Sequence, residues 1–370
     1  MRKIVFVHQA SSVGGGSYCL LNLLKAIDMN MFEPIALLKE EGPLIKEIKS
    51  LGIKVELMPE MDVVPYNTSF RRPGTWVTYL SALISRRALK NKLLELKPDI
   101  LYLNNSMLYP YLQVAKQLGI STVIHVREHW PLEEHIVQLK WLQKNIRQYA
   151  DVVVAINQYS ATMVKSPDKN VFIIYDWIDF SNRYKEHDLN LVFGEDISQK
   201  KLFLYTGGMQ PIKGYNEVLT VFTQIADKES RLLALGVDPS NNQIADIIRD
   251  DRRIACMPAV YEIKDILEKS YCVLSYFTIP HANLALAEAI TLKVPAIAAR
   301  TAESEEYSEN GQLAFLFKMN SIQDFKDTIK NFEDKRKELK KRLECGSTDV
   351  ALKFNKERNE RIFCDLLSSI

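Results

Sequence analysis

Residues 271–307, YCVLSYFTIPHANLALAEAITLKVPAIAARTAESEEY, decide how the rest of the chain is read. The run Cys272-Val273-Leu274-Ser275-Tyr276-Phe277 is apolar and partly β-branched, as a strand covered on both faces should be, and 294–299 repeats the pattern. Both read as parallel strands. Between them Asn283 is a good N-cap for a helix carrying Leu284, Leu286, Glu288, Ala289 and Ile290. The free N–H groups of its first turn would face the carboxyl edge of the sheet, where they attract phosphate. Glu288 falls about one and a half turns inside this helix, within reach of sugar hydroxyls; a merely solvated helix carboxylate is the other reading.

A chain of 370 residues is too long for one comfortable core and suits two domains. With 47% hydrophobic and 25% charged residues it reads as a soluble globular protein rather than a disordered or fibrous one. The formal charge of +2 gives no global field for nucleic acid, so an anionic partner must be met by local patches. Cys19, Cys256, Cys272, Cys345 and Cys364 form no Cys-x-x-Cys pair and read as reduced thiols. After Met1-Arg2-Lys3 the apolar run from Ile4 to Val7 ends at His8-Gln9, far short of an export segment, and no stretch is long enough to span a bilayer. The expected compartment is the cytoplasm.

The first half alternates strand and helix patterns. Ile4 to Val7 reads as a buried strand running into Val13-Gly14-Gly15-Gly16-Ser17 and a helix over 18–27. Glycines at such a turn let a substrate approach the backbone, and a plain tight turn fits as well. The spacing is not Gly-x-Gly-x-x-Gly, so no dinucleotide site is expected. Strands over 34–38, 53–57, 99–103 and 121–126 and helices over 44–51, 76–96 and 108–118 follow, predicting a parallel sheet with helices on both faces. A helix over 134–149 and strands over 151–156 and 171–175 close this half.

Two stretches within it stand out. Residues 71–97 carry Arg71, Arg72, Arg86, Arg87, Lys90, Lys92 and Lys97 beside Trp76, Tyr79, Leu80 and Leu83. Such an element either rests on an anionic membrane surface or packs its apolar face and solvates its charges. His125-Val126-Arg127-Glu128-His129 stands where a strand gives way to a loop, the expected place for binding residues. Zinc at His125 and His129 needs a third ligand, and none has suitable spacing; a satisfied structural histidine is a second reading.

After a polar segment over 179–201, Lys201 to Tyr205 opens a new sheet. Thr206-Gly207-Gly208-Met209-Gln210-Pro211-Ile212-Lys213-Gly214 then precedes a helix over 215–226. Glycines and one lysine ahead of a helix make a diphosphate cradle, although the Gly-Lys-Ser/Thr ending of a P-loop is absent. Strands over 231–235, 253–256, 271–277, 294–298 and 313–317 complete a second parallel sheet. A charged helix over 321–343 and an amphipathic one over 350–367 end the chain.

Pro280-His281-Ala282-Asn283, Glu288-Ala289 and Val294-Pro295-Ala296-Ile297-Ala298 together resemble the donor-site signature of retaining GT-B glycosyltransferases of family GT4. Glu288 matches the second glutamate of the family's Glu-x7-Glu motif, whereas Pro280 stands at the first, as in a variant branch with a Pro-His pair there. Lys213 and Gly214 match the string Gly-Arg-x-x-x-x-Lys-Gly, with Gly208 where arginine usually lies. Residues 150–156 resemble the family's Ala-Asp-x-Val strand, and Ile174 to Asp179 its Tyr-Asn-Gly-Ile-Asp linker, with Asp176 and Trp177 replacing Asn-Gly. Glu305-Glu306-Tyr307 and Asn310-Gly311 resemble the Glu-x-x-x-x-Gly element after the donor helix, and His-x-Arg-Glu looks like the bacterial polysaccharide branch.

The resemblance implies an α/β GT-B chain of two Rossmann-like parallel-sheet domains, with an interdomain cleft and a C-terminal helix crossing back. The first domain, 1–178 joined by 350–370, is on the acceptor side; the second, 179–349, binds the nucleotide-sugar. It implies a donor site of Gly207, Gly208, Lys213, Gly214, Pro258, Ala259, His281, Asn283, Leu284 and Glu288, with the base met by backbone near Pro258 and Ala259. His125, Glu288 and Lys213 are the expected catalytic residues, and Gly14, Gly15, Gly16, Arg127 and Glu128 the expected acceptor side. Arg127 would suit a phosphate or acidic acceptor group, with Glu128 holding it.

The expected activity moves a sugar with retention from a nucleotide-sugar to a saccharide or lipid-linked acceptor in polysaccharide synthesis. No cofactor is expected, and no metal, since no Asp-x-Asp motif occurs. The expected location is the cytoplasm, with a candidate peripheral contact at an anionic membrane. Two alternatives stand beside this reading, a GT-B nucleotide-sugar epimerase and a non-catalytic glycan- or transferase-binding partner.

Overall fold

The computed structural model describes residues 1–370 apart from 13, 67–70, 131–135, 167–169, 182, 226, 249–250 and 347. The chain forms two compact units, Met1–Trp177 with Lys356–Ile370, and Ile178–Asn355.

In the first unit β1 (Arg2–His8), β2 (Phe32–Leu38), β3 (Lys54–Leu57), β4 (Ile100–Leu103), β5 (Ser121–Val126), β6 (Val152–Ala155) and β7 (Val171–Ile173) make one sheet, ordered β3-β2-β1-β4-β5-β6-β7. Every pairing is parallel. Ile4 to Val7 and Ile100 to Leu103 are fully buried, because helices cover both faces and a strand there needs apolar side chains on each. From β1 the chain winds outward to β3, then returns to the other side of β1 as β4. The switch point of this sheet therefore lies between β1 and β4, where doubly wound folds bind ligands at the carboxyl edge.

The second unit repeats the plan. Strands β8 (Lys201–Tyr205), β9 (Ser230–Leu235), β10 (Ile254–Met257), β11 (Cys272–Ser275), β12 (Ala296–Arg300) and β13 (Phe315–Lys318) form a parallel sheet ordered β10-β9-β8-β11-β12-β13. Its switch point falls between β8 and β11.

Three helices depart from the sequence pattern. The helix expected over 76–96 is two, Pro73–Ile84 and Arg86–Leu96, parted at Ser85, whose hydroxyl donates back to Ala82 O at 2.9 Å. That over 108–118 starts as a 3-10 turn, Ser106–Tyr111, since Pro110 has no N–H for an α-helical bond. The terminal segment divides into Thr348–Lys353, part of the second unit, and Lys356–Ser369, part of the first. Residues 134 and 135 of the expected helix over 134–149 lie outside the described residues, as does Val13; the rest forms Ile136–Tyr149.

The C-terminal helix packs Phe363, Leu366 and Leu367 into the core of the first unit. Phe363 meets the Tyr102 ring edge-on at 5.9 Å, and Phe6 packs on that ring at 4.8 Å. Tyr102, next to the last residue of β4, thereby packs against both rings.

Candidate functional site

In the second unit the loop after β8 is pinned from below. The Tyr205 hydroxyl reaches Gly208 O and Lys213 O, each at 3.0 Å, and Thr278 N, on the loop after β11, donates to Ile212 O at 2.9 Å. The loops from the two strands flanking the switch point are thus tied together. Gly214 has φ +62°, and a Cβ there would lie 2.2 Å from the Tyr276 ring, so only glycine lets this turn close. Gly208 has φ +64°, a left-handed conformation that disfavours the arginine of the family pattern.

Lys213 follows on this loop, half-buried, and among the described residues no carboxylate or carbonyl partners its ammonium. Burial lowers its pKa. Facing it in the topology, the helix Leu284–Thr291 begins after β11. Its N-cap Asn283 is fully buried: Oδ1 accepts from Leu286 N at 3.1 Å and from the Ser275 hydroxyl at 2.9 Å, and Nδ2 donates to Ser304 Oγ at 3.3 Å. Three partners fix the helix start. Leu284 is half-buried, His281 packs its ring against Phe277 at 5.6 Å, and Pro258 and Ala259 are exposed after β10.

Glu288 is not a solvated helix residue. It is 4% exposed and accepts from Arg183 Nη1 at 2.5 Å. Arg183 also donates from Nε to Tyr261 O at 3.0 Å, and its guanidinium carbon lies 5.4 Å from each of the Phe180 and Tyr261 rings. Sequence reading missed this arginine inside what it took as a polar boundary segment. A cavity lined by His187, Asn190, Lys200, Leu202 and Lys269 lies toward the amino end of β8, the wrong edge of the sheet for this site.

In the first unit a polar network sits at the switch point. His125, next to the last residue of β5, is 1% exposed and places Nδ1 2.8 Å from the Tyr102 hydroxyl and 3.2 Å from Arg127 Nη2. Arg127 also contacts Asn104 Oδ1 through Nε at 3.2 Å and forms an ion pair through Nη1 with Asp176. All three kinds of guanidinium nitrogen are engaged inside the fold, which replaces the expected open fork for an acceptor's phosphate. Nor does Glu128 hold Arg127: its carboxylate accepts from Ser106 N at 2.8 Å and from the Ser106 hydroxyl. Asn104 Nδ2 reaches His8 Nδ1 at 3.2 Å, and His8 Nε2 lies 3.5 Å from Ser17 Oγ.

Gly14 caps the helix Gly15–Ala26 with extended backbone and no side-chain hydrogen bond, and Gly14, Gly15 and Gly16 are all exposed, leaving first-turn amides uncovered. His129 stacks on Tyr159 at 3.9 Å instead of approaching His125. Among the described residues no three His, Cys, Asp or Glu side chains group to hold a metal ion.

Burial, then Arg127, pushes the His8 pKa down to about 3, and the same two causes push His125 well below its ordinary value. Both rings are neutral at physiological pH. Burial alone pulls the Arg127 pKa down, but Asp176, with Cys19 and Tyr102, raises it above the ordinary value. Burial raises Glu128. His8, Tyr102 and Asn104 were missed in sequence reading; the two residues at the ends of β1 and β4 were legible in principle, since both strands flank the switch point.

Residues 200–334 match the family model described as glycosyl transferases group 1. That region contains the second-unit site residues named above except Phe180 and Arg183. No curated protein matches the chain by sequence. The fold is that of HepE from Anabaena, solved in complex with UDP-glucose, with TM-score 0.79, 17% identity and 100% of both chains covered. A glycosyltransferase from Rickettsia africae follows with TM-score 0.73 and 15% identity, covering 100% of this chain and 99% of its own. A putative UDP-N-acetylglucosamine 2-epimerase from Listeria monocytogenes shares the fold at TM-score 0.64 and 12% identity, over 99% of this chain and 96% of its own. With two parallel-sheet units of this architecture the chain has the GT-B fold of these solved structures, and its second unit carries the segment that matches the group 1 glycosyl transferase model.

Proposed function

We propose that the chain transfers a sugar, with retention of anomeric configuration and without a metal, from a nucleotide-sugar to a saccharide or lipid-linked acceptor in polysaccharide synthesis. The observation that carries this reading is the convergence at the β8–β11 switch point. There Lys213 brings an ammonium with no partner among the described residues, and the helix at Asn283 brings first-turn amides to the same carboxyl edge. As the bond from sugar to diphosphate breaks, negative charge grows on the leaving oxygens. A fixed cation and oriented N–H groups lower the energy of that state more than of the ground state. HepE's complex with UDP-glucose supports a nucleotide-sugar of this kind as donor.

Glu288, oriented by Arg183, is assigned to donor hydroxyls, His125 to the reacting sugar, and the Gly14 to Gly16 turn to the acceptor side. The backbone near Pro258 and Ala259 is assigned to the base. The test is turnover of UDP-, GDP- and ADP-sugars by the wild type and by Glu288→Gln and Lys213→Ala. Each variant should lose more than about tenfold in kcat/KM with unchanged circular dichroism, and near-normal rates in both would refute the assignment. A shared fold with the Listeria epimerase makes interconversion of donor epimers without acceptor the second outcome to score.

We further assign a cytoplasmic location and an anionic membrane contact to the helices Pro73–Ile84 and Arg86–Leu96. Val77, Leu80 and Ile84 recur at helical spacing and are 68%, 53% and 75% exposed, with Arg87 and Lys90 exposed beyond them. Leu80→Asp with Ile84→Asp should leave thermal stability within about 0.5 kcal/mol and abolish sedimentation with phosphatidylglycerol vesicles. Equal sedimentation of variant and wild type would remove the assignment.

A further inference from the structure

In the first unit one guanidinium touches both branches of a buried polar network, and arginine's donor-only chemistry fixes the direction of each hydrogen bond. Arg127 carries N–H groups and no acceptor. Its Nε therefore donates to Asn104 Oδ1 at 3.2 Å, which turns the amide so that Nδ2 faces His8 Nδ1 at 3.2 Å. His8 Nδ1 is then the acceptor, and the ring proton sits on Nε2, 3.5 Å from Ser17 Oγ in the first turn of the helix Gly15–Ala26. That last contact is at the long end of hydrogen bonding.

The second branch follows the same logic. Arg127 Nη2 lies 3.2 Å from His125 Nδ1, and two facing N–H groups would repel, so Nδ1 is bare. The Tyr102 hydroxyl, at 2.8 Å, donates to the same atom. The proton of His125 is left on Nε2, which is buried and, among the described residues, meets no acceptor. A buried donor without an acceptor costs stability and is kept where a ligand completes it.

We propose that Arg127, balanced by Asp176, is a positioning residue that holds His8 and His125 as neutral Nε2–H tautomers, so that His125 offers a ligand oxygen a hydrogen-bond donor and no basic nitrogen. That the oxygen belongs to a transferred sugar rests on the proposed function; the proton positions do not. Asp176 answers the arginine's charge, which accounts for an aspartate where the family linker carries asparagine. Among the described residues the charged group acting on both rings is Arg127, itself paired with Asp176, and burial with Arg127 favours the neutral ring in both.

The experiment is long-range proton–nitrogen correlation spectroscopy of the full chain labelled with 15N-histidine, at neutral pH and without ligand. The signals lost in His8→Asn and in His125→Asn should each report the Nε2-protonated neutral ring. An Nδ1-protonated or doubly protonated ring at either position overturns the proposal. Arg127→Lys keeps the charge but a single ammonium cannot serve three separate partners. It should disturb both tautomers and lower kcat about tenfold or more, with donor KM changed less than about threefold.

Unchanged tautomers in Arg127→Lys overturn the proposal as well. Asp176→Asn leaves the guanidinium in place and should keep both tautomers even if Arg127→Lys folds poorly; their loss there would credit the aspartate instead. Tautomers that behave as described in a protein with no transferase activity would leave the positioning role intact and reject the proposed function.

Discussion

Near each switch point a buried arginine pairs with a carboxylate, Arg127 with Asp176 and Arg183 with Glu288, and the two pairs use the guanidinium differently. Arg127 spreads its nitrogens over Asp176, Asn104 and His125, so it acts as a hub whose donors dictate where neighbouring protons sit. Arg183 works as a clamp: one nitrogen on Glu288, another on the Tyr261 carbonyl, and a ring on either side. The hub organises neutral groups, whereas the clamp aims a charged one. The comparison teaches that a buried ion pair beside a site serves for what it orients, since replacing such pairs by apolar residues is often neutral for stability while breaking one is costly.

Breaking the clamp should give the largest effect. Arg183→Met leaves Glu288 buried without its cation and should cost about 3 kcal/mol in urea unfolding. Arg183→Met with Glu288→Gln removes both charges and should recover at least about half of that loss, with turnover still more than about tenfold down. Full recovery of turnover in the double variant would show that the pair serves stability alone.

The hub should reveal itself in acid. His8 has a folded pKa of about 3, below its unfolded value near 6.5, so the unfolded chain binds more protons between those limits and stability falls as pH drops through them. The slope from this one ring is about 1.4 kcal/mol per pH unit. His125, also depressed, adds in the same direction, whereas Glu128, raised by burial, opposes it just above pH 4.5. Urea unfolding of His8→Asn between pH 6 and 4 should show a shallower pH dependence by about that slope; an unaltered dependence would mean that His8 is not buried as a neutral ring.

Much of this architecture could be read from the chain because buried parallel strands appear as unbroken apolar runs. Their alternation with helices dictates the winding, and so both switch points. Asn283 was legible for a local reason, the N-cap preference acting within three residues. Ser85 and Pro110 broke helices that periodicity alone ran through. Arg183 and Asp176 were opaque for the opposite reason. Their partners lie 105 and 49 residues away in the chain, and no periodicity or capping rule links residues at such separations. The role of Arg127 was misjudged for the same reason: a fork suited to oxyanions looks the same in sequence whether a ligand or the fold fills it.

The central claim is that a diphosphate is received by Lys213 and the helix amides at Asn283. Titration calorimetry with UDP, GDP and ADP tests it most directly, on the wild type and on Lys213→Ala. The account predicts that at least one nucleotide binds the wild type and binds the variant about tenfold or more weakly, the loss growing as salt is lowered. Silence from all three nucleotides, or equal affinity in both proteins, would contradict it.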